Sequence, residues 1–163
     1  MKLKDKIAIV TGAGQGLGRA IALMLGEEGA VVAVVGRTTS KLESVAAEIT
    51  QAGGRAWPIT ADLTEEDQVQ GMVDQVMEKY GRIDILVNNA GFGISGAVEF
   101  TDLATARRQL DVNFWGMAAM THAVLPVMRQ QGSGRIVNLS SVAAPVPIPF
   151  QAYYSATKAS VNA

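Results

Sequence analysis

The chain has no cysteine, which excludes disulfide cross-links, thiolate metal ligands and a thiol nucleophile. It has one histidine, His122, set within a helical apolar pattern, where it reads as a helix residue rather than a catalytic one. No sign of charge dominates: 14 Lys and Arg stand against 15 Asp and Glu, for a net charge of −1, and no basic block is present. Nothing therefore points to a nucleic-acid surface. No apolar run approaches the ~20 residues of a membrane span. Lys2, Lys4 and Lys6 make the N-terminus basic, but Asp5 interrupts them. The run Ile7–Val10 that follows is too short for a signal peptide. These absences lead to the expectation of a soluble, cytoplasmic protein with neither nucleic acid nor membrane as partner and with no metal site. What is present is 163 residues, 48% of them apolar, enough for a single domain over 1–163 that buries a core.

The most informative stretch is Thr11-Gly12-Ala13-Gly14-Gln15-Gly16-Leu17-Gly18. The buried-strand run Ile7-Ala8-Ile9-Val10 precedes it, and Arg19 to Leu25, apolar at helical spacing, follows. A glycine-rich turn between strand and helix lets a ligand approach the backbone, because glycine has no Cβ and accepts φ > 0. The helix N-terminus beyond it favours a pyrophosphate. The strict G-x-G-x-x-G spacing fails; Gly12, Gly16 and Gly18 fit G-x-x-x-G-x-G instead.

Short apolar runs then alternate with helical patterns. Ala30–Val35 reads as a strand, and Thr38, Thr39 and Ser40 offer N-caps to a helix ending near Gln51. Arg55–Thr60 reads as an edge strand, since Pro58 cannot donate to a ladder. A helix follows from the acidic turn Glu65-Glu66-Asp67 to Tyr80, closed by Gly81. Asp84–Val87 is the next strand, ending at Asn88-Asn89-Ala90-Gly91; one long helical segment spans roughly Asp102 to Gln130. Arg135–Leu139 is the fifth strand, and a last helix begins near Tyr153. Uniformly apolar strands alternating with helices predict an α/β protein with a three-layer, doubly wound parallel sheet of order 3-2-1-4-5. Ligands in such sheets bind at the carboxyl ends of the strands beside the switch point, here between the first and fourth strands. The two unusual loops, 11–18 and 88–91, follow those strands.

Thr11-Gly12, Gly16, Gly18, then Asn88-Asn89-Ala90-Gly91, then Tyr154-Ser155-Ala156-Thr157-Lys158, together resemble the short-chain dehydrogenase/reductase family along the whole chain. The resemblance implies a single Rossmann-type domain that transfers hydride between NAD(H) or NADP(H) and a carbonyl/alcohol pair. It implies Tyr154 as acid/base and Lys158 as its partner, one helical turn on and on the same face. Tyr153 has Thr157, not lysine, at that spacing. Ser141 matches the serine that holds the substrate oxygen, with Ser140 the alternative one residue away. Asn113 matches the asparagine of the tetrad and would hold a water in a relay to Lys158. A tyrosine free in water, with a pKa near 10, is only about 0.1% ionised at pH 7. A neighbouring ammonium favours the phenolate.

The same resemblance assigns Gly12, Gln15, Gly16, Leu17, Gly18, Asn89, Ala90 and Gly91 to the dinucleotide, with Tyr154 and Lys158, and Asp62 and Leu63 to its adenine. An NAD site usually carries an acidic residue at the end of the second strand. Gly36 stands there, followed by Arg37 and Thr38, placed to take a 2′-phosphate. NADP(H) is thus favoured and NAD(H) remains possible. Phe92, Gly93, Val142, Ala143 and Phe150 are expected on the near side of a pocket for an apolar carbonyl or secondary alcohol. Trp57 and Trp115 read as core or interface residues. Members of the family extend past the catalytic helix, so the C-terminal part of the usual fold, two further strands included, is expected to lie outside these residues and to leave the fifth strand as an uncovered edge. A homodimer or homotetramer is implied for a full-length chain. A non-catalytic dinucleotide-binding protein and an inactive fragment are the alternatives.

Overall fold

A computed structural model describes residues 1–163. The β-branched runs become strands β1 (Ile7–Thr11), β2 (Val31–Gly36), β3 (Arg55–Thr60), β4 (Ile85–Asn88) and β5 (Arg135–Asn138). All five pair in parallel in the order β3-β2-β1-β4-β5. β1 is buried at every residue and β2 at every residue but Gly36, as a sheet covered on both faces requires. The expected fold class and strand order are both found. β3, with Pro58, lies at one edge; β5 lies at the other and exposes 41% of Val137.

Helices α1 (Gly16–Glu27) and α2 (Thr39–Gln51) follow β1 and β2 in the chain. They cover one face, over a core that includes Ala8, Val10, Val32, Val34, Leu42 and Ile49. On the opposite face α3 (Glu66–Tyr80) packs against α5 (Gly116–Gln131), over Ile9, Ala33, Val35, Met72, Leu86 and Met120. The logic of α3 is plain in its sequence. Val69, Met72, Val73 and Val76 are buried at helical spacing, and Gly81 ends the helix at φ +68. Each such side chain, fully buried, contributes roughly 1.5–3 kcal/mol. The last helix, α6 (Ala152–Asn162), packs against α4 (Leu103–Leu110).

The long helical segment expected from Asp102 to Gln130 is found over Leu103–Gln131, but it is not α-helical throughout. It is α4, a π-helical turn at Asp111–Trp115, and α5. Apolar periodicity does not register a single extra residue in a helix, whereas hydrogen bonding does. The N-caps also differ from expectation. Thr38 occupies the cap position of α2 but makes no side-chain cap bond. Thr39 instead shares a hydrogen bond of 2.9 Å with Thr60. Of the tryptophans, Trp57 is half-buried, edge-on to Tyr80 and under the Lys79 ammonium, while Trp115 is 58% exposed.

At the amino end of the sheet, Asp84 ties β1 to the turn before β4. Its carboxylate accepts hydrogen bonds from Arg82 Nε (2.9 Å) and Nη2 (2.6 Å), Lys6 Nζ (3.1 Å) and the Ile7 amide (3.0 Å). Burial alone would push the Asp84 carboxyl up; these donors outweigh it and hold it down to about 2. A carboxyl depressed on folding contributes stability above its unfolded pKa, and that contribution is lost as pH falls toward the folded value. Asp84→Asn is therefore expected to cost about 2 kcal/mol at pH 7. The difference from the parent protein should close between pH 4 and pH 2, as read by urea denaturation across that range.

Candidate active site

The loops after β1 and β4 are sewn together at the carboxyl end of the sheet. Thr11 Oγ1 donates to the Val87 carbonyl (3.3 Å) and accepts the amides of Asn89 and Ala90, each at 3.1 Å. Asn89 Nδ2 returns bonds to the carbonyls of Thr11 (2.9 Å) and Gly12 (3.3 Å). The glycines are what permit this closeness. A Cβ on Gly12, at φ +65, would stand 2.8 Å from Ala90 Cα. A Cβ on Gly18 would fall onto the Gly12 carbonyl and Asn89 Nδ2.

Gly16 is different: it sits at φ +55 with nothing within 4 Å of where a Cβ would stand. It opens α1, whose cap residue Gln15 makes no side-chain cap bond and whose first turn has no acidic residue. Gly16, Leu17 and Gly18 of that turn line a cavity of about 490 Å³. This donor set and open backbone fit an anion such as a pyrophosphate. The glycine loop, Arg37, Thr38, Asp62, Leu63, Asn89, Ala90 and Gly91 all line that one cavity. Gly14, Lys41, Phe92 and Val112 line it too, although no motif singled them out for it. Lys41 was legible in principle, in the first turn of the helix that follows Arg37.

Asp62 is a further lining residue with a defined charge environment. Burial pushes its carboxyl up, but bonds from the Thr64 amide and hydroxyl and the nearby guanidinium groups of Arg37 and Arg108 hold it below the usual carboxylate range.

The loop after β4 also carries the cavity to α6. A Cβ on Gly93 would be 3.5 Å from the Tyr154 ring, and one on Gly91 would be 3.7 Å from Lys158 Nζ. Lys158 is buried and donates to the Leu139 carbonyl at 2.8 Å. Burial pushes its ammonium below the usual lysine range. Ser140 and Ser141 part ways here. Ser140 spends its hydroxyl on the Lys158 carbonyl (3.1 Å), whereas Ser141 only accepts, from the Ala143 amide (3.1 Å), and keeps its proton.

Asn113 lies in the π-turn, and its carboxamide is spent on neighbouring groups of the protein. Its Oδ1 accepts the Phe92 amide (2.9 Å), and its Nδ2 donates to the Phe92 carbonyl (2.9 Å) and to Thr157 Oγ1 (3.0 Å). Both N–H donors are thus used within the protein. The side chain braces the cavity loop against α6, and Gln109 adds a second donor to the Phe92 carbonyl (3.0 Å). On the substrate side, Ala143 is fully buried, so it does not line an open pocket as expected. Phe92 is half-buried, while Val142 and Phe150 are 78% and 69% exposed. His122 is exposed on α5 and lines a separate groove with Trp115 and Asp111.

A parallel sheet whose switch-point loops offer a glycine cradle, with a tyrosine and a lysine at its inner end, defines a dinucleotide-binding α/β domain. The chain belongs to the short chain dehydrogenase family, whose profile matches residues 6–163. It is 41% identical to an uncharacterized oxidoreductase of Methylorubrum extorquens over 164 residues, 99% of this chain and 65% of the relative. A metagenomic short-chain oxidoreductase in complex with NADP superposes with a TM-score of 0.95 at 36% identity, covering 99% of this chain and 74% of that one. NAD+-bound xylitol dehydrogenase superposes at 0.96, also 36% identical, covering 99% and 62%. The chain spans between 56% and 70% of the length of the curated relatives it matches.

Two glycine substitutions separate the parts of the cradle. Gly18→Ala is expected to lower the melting temperature sharply, because its methyl meets backbone and Asn89 together. Gly16→Ala meets no atom and is expected to cost only about 1–2 kcal/mol for its left-handed backbone. Thermal melts of the two variants check the contrast.

Proposed function

We propose that this protein is an NADP(H)-dependent oxidoreductase that interconverts a carbonyl and a secondary alcohol, with Tyr154 as acid/base. The observation that carries the reading is the stretch 91–93, whose residues line the dinucleotide cavity at one end and abut Tyr154 and Lys158 at the other. A bound nicotinamide supplies the hydride. In reduction Tyr154 gives its phenolic proton to the carbonyl oxygen; in oxidation it takes that proton back. Lys158, with one N–H fixed on Leu139, keeps others for the phenol and for a ribose. Ser141 turns its unused proton to the substrate oxygen. Asn113, through Phe92 and Thr157, fixes the distance between the cavity loop and the Tyr154 helix.

Arg37 and Thr38, with no carboxylate at Gly36, favour NADP(H); relatives of this fold bind NADP or NAD+. The half-buried Phe92 and exposed Val142 and Phe150 suit an apolar substrate. Exposed Trp115, beside half-buried Ala118 and Ala119, gives the π-turn and α5 a surface suited to a second copy, consistent with a homodimer or homotetramer. No helix is long and apolar enough to cross a membrane, and a cytoplasmic site of action fits a nicotinamide reductase.

Two substitutions test the reading. Tyr154→Phe should abolish NADPH-dependent turnover of a panel of ketones while nucleotide fluorescence titration shows binding retained. Persistent turnover would remove Tyr154 from the chemistry. Arg37→Glu should weaken NADPH far more than NADH, and equal weakening would overturn the cofactor preference.

A further inference from the structure

Two side-chain bridges join the first helical layer, and they differ in one respect. Arg19 of α1 pairs with Glu48 of α2, so its charge is neutralised where it stands. Lys41, in the first turn of α2, donates at 2.6 Å to Oε1 of Gln15, the cap residue of α1. Gln15 is neutral, and Lys41 has no carboxylate partner beside the cavity. The base of Lys41 lies close to the glycine loop: a Cβ on Gly14 would stand 3.1 Å from Lys41 Cβ. Lys41, Arg37 and Thr38 thus line the same cavity from within five residues of chain.

We infer that Lys41 is a second 2′-phosphate ligand, parked on Gln15 until a 2′-phosphorylated dinucleotide draws it away. This rests on the dinucleotide reading of the cavity above. An ammonium bonded to a carboxamide gains when it exchanges that partner for a phosphate, because a charge-assisted bond is shorter and stronger than one to a neutral acceptor. A dinucleotide with a bare ribose hydroxyl offers no such exchange, and Lys41 stays on Gln15. The bridge therefore adds to discrimination without penalising the adenine end common to both cofactors. Lys41 is exposed, so this share of the discrimination falls as salt rises.

Calorimetric titration with adenosine 2′,5′-bisphosphate and with adenosine 5′-monophosphate isolates the effect from catalysis and from the nicotinamide. Lys41→Met is expected to weaken the bisphosphate about tenfold or more. The monophosphate should stay within about twofold, since one neutralised contact is worth no more to it. Gln15→Leu is expected to keep the ratio of the two affinities, because the phosphate replaces Gln15 as the partner of Lys41. If Lys41→Met weakens both ligands equally, or neither, while Arg37→Gln abolishes the preference, the role of Lys41 is overturned and the cofactor reading stands. If the unmodified protein shows no preference for the bisphosphate, the NADP(H) reading fails and Lys41 falls with it.

Discussion

The candidate site depends on one hydroxyl. Thr11 Oγ1 ends β1 by bonding to β4 and to the two amides that follow it. Without that node the loops after adjacent parallel strands would diverge, since successive crossovers pass to opposite faces of a doubly wound sheet. The node holds Asn89 where its amide reaches the Gly12 carbonyl, and that contact in turn requires the absence of a side chain at Gly18. The anion cradle is therefore rigid before any ligand arrives, which lowers the ordering cost of binding.

A second dependency starts at Phe92. Its peptide group is held by two carboxamides a helical turn apart, Gln109 and Asn113, the second of which also reaches Thr157 on α6. The π-turn makes this possible by re-aiming Asn113 within an otherwise regular run of helix. Burial is what makes the clamp strong: Gln109 and Asn113 are almost wholly excluded from solvent, where an unmade hydrogen bond is costly. The helix bearing Tyr154 and Lys158 is thereby registered to the cavity loop, in addition to its ties to Leu139 and Ser140 at the end of β5.

Most of the fold was legible because strands buried on both faces announce themselves as β-branched runs, and Gly81 and Pro58 mark an end and an edge without ambiguity. The cavity lining was legible for the same reason: glycine spacing and the Asn-Asn-Ala-Gly loop stand out against regular structure. What escaped was geometry that leaves no compositional trace. The π-turn at Asp111–Trp115 shares its periodicity with the helices around it. The occupied carboxamide of Asn113 depends on where Phe92 and Thr157 fall, 21 and 44 residues away. The burial of Ala143 and the reach of Lys41 to Gln15 likewise belong to tertiary packing. The engagement of the Ser140 hydroxyl by the Lys158 carbonyl is of the same kind.

The node at Thr11 also sets the order in which the molecule can assemble. Thr11 and Asn89 are 78 residues apart in sequence, and Ile7 and Asp84 are 77 apart. Closing a loop of that length costs only about 2 kcal/mol more than closing one of ten residues, but nothing repays it until β4 docks. The units β1-α1-β2 and β2-α2-β3 close over far shorter spans. The loops 11–18 and 88–91 meet only where β4 pairs with β1, so the cradle is complete only once the second half of the sheet joins the first.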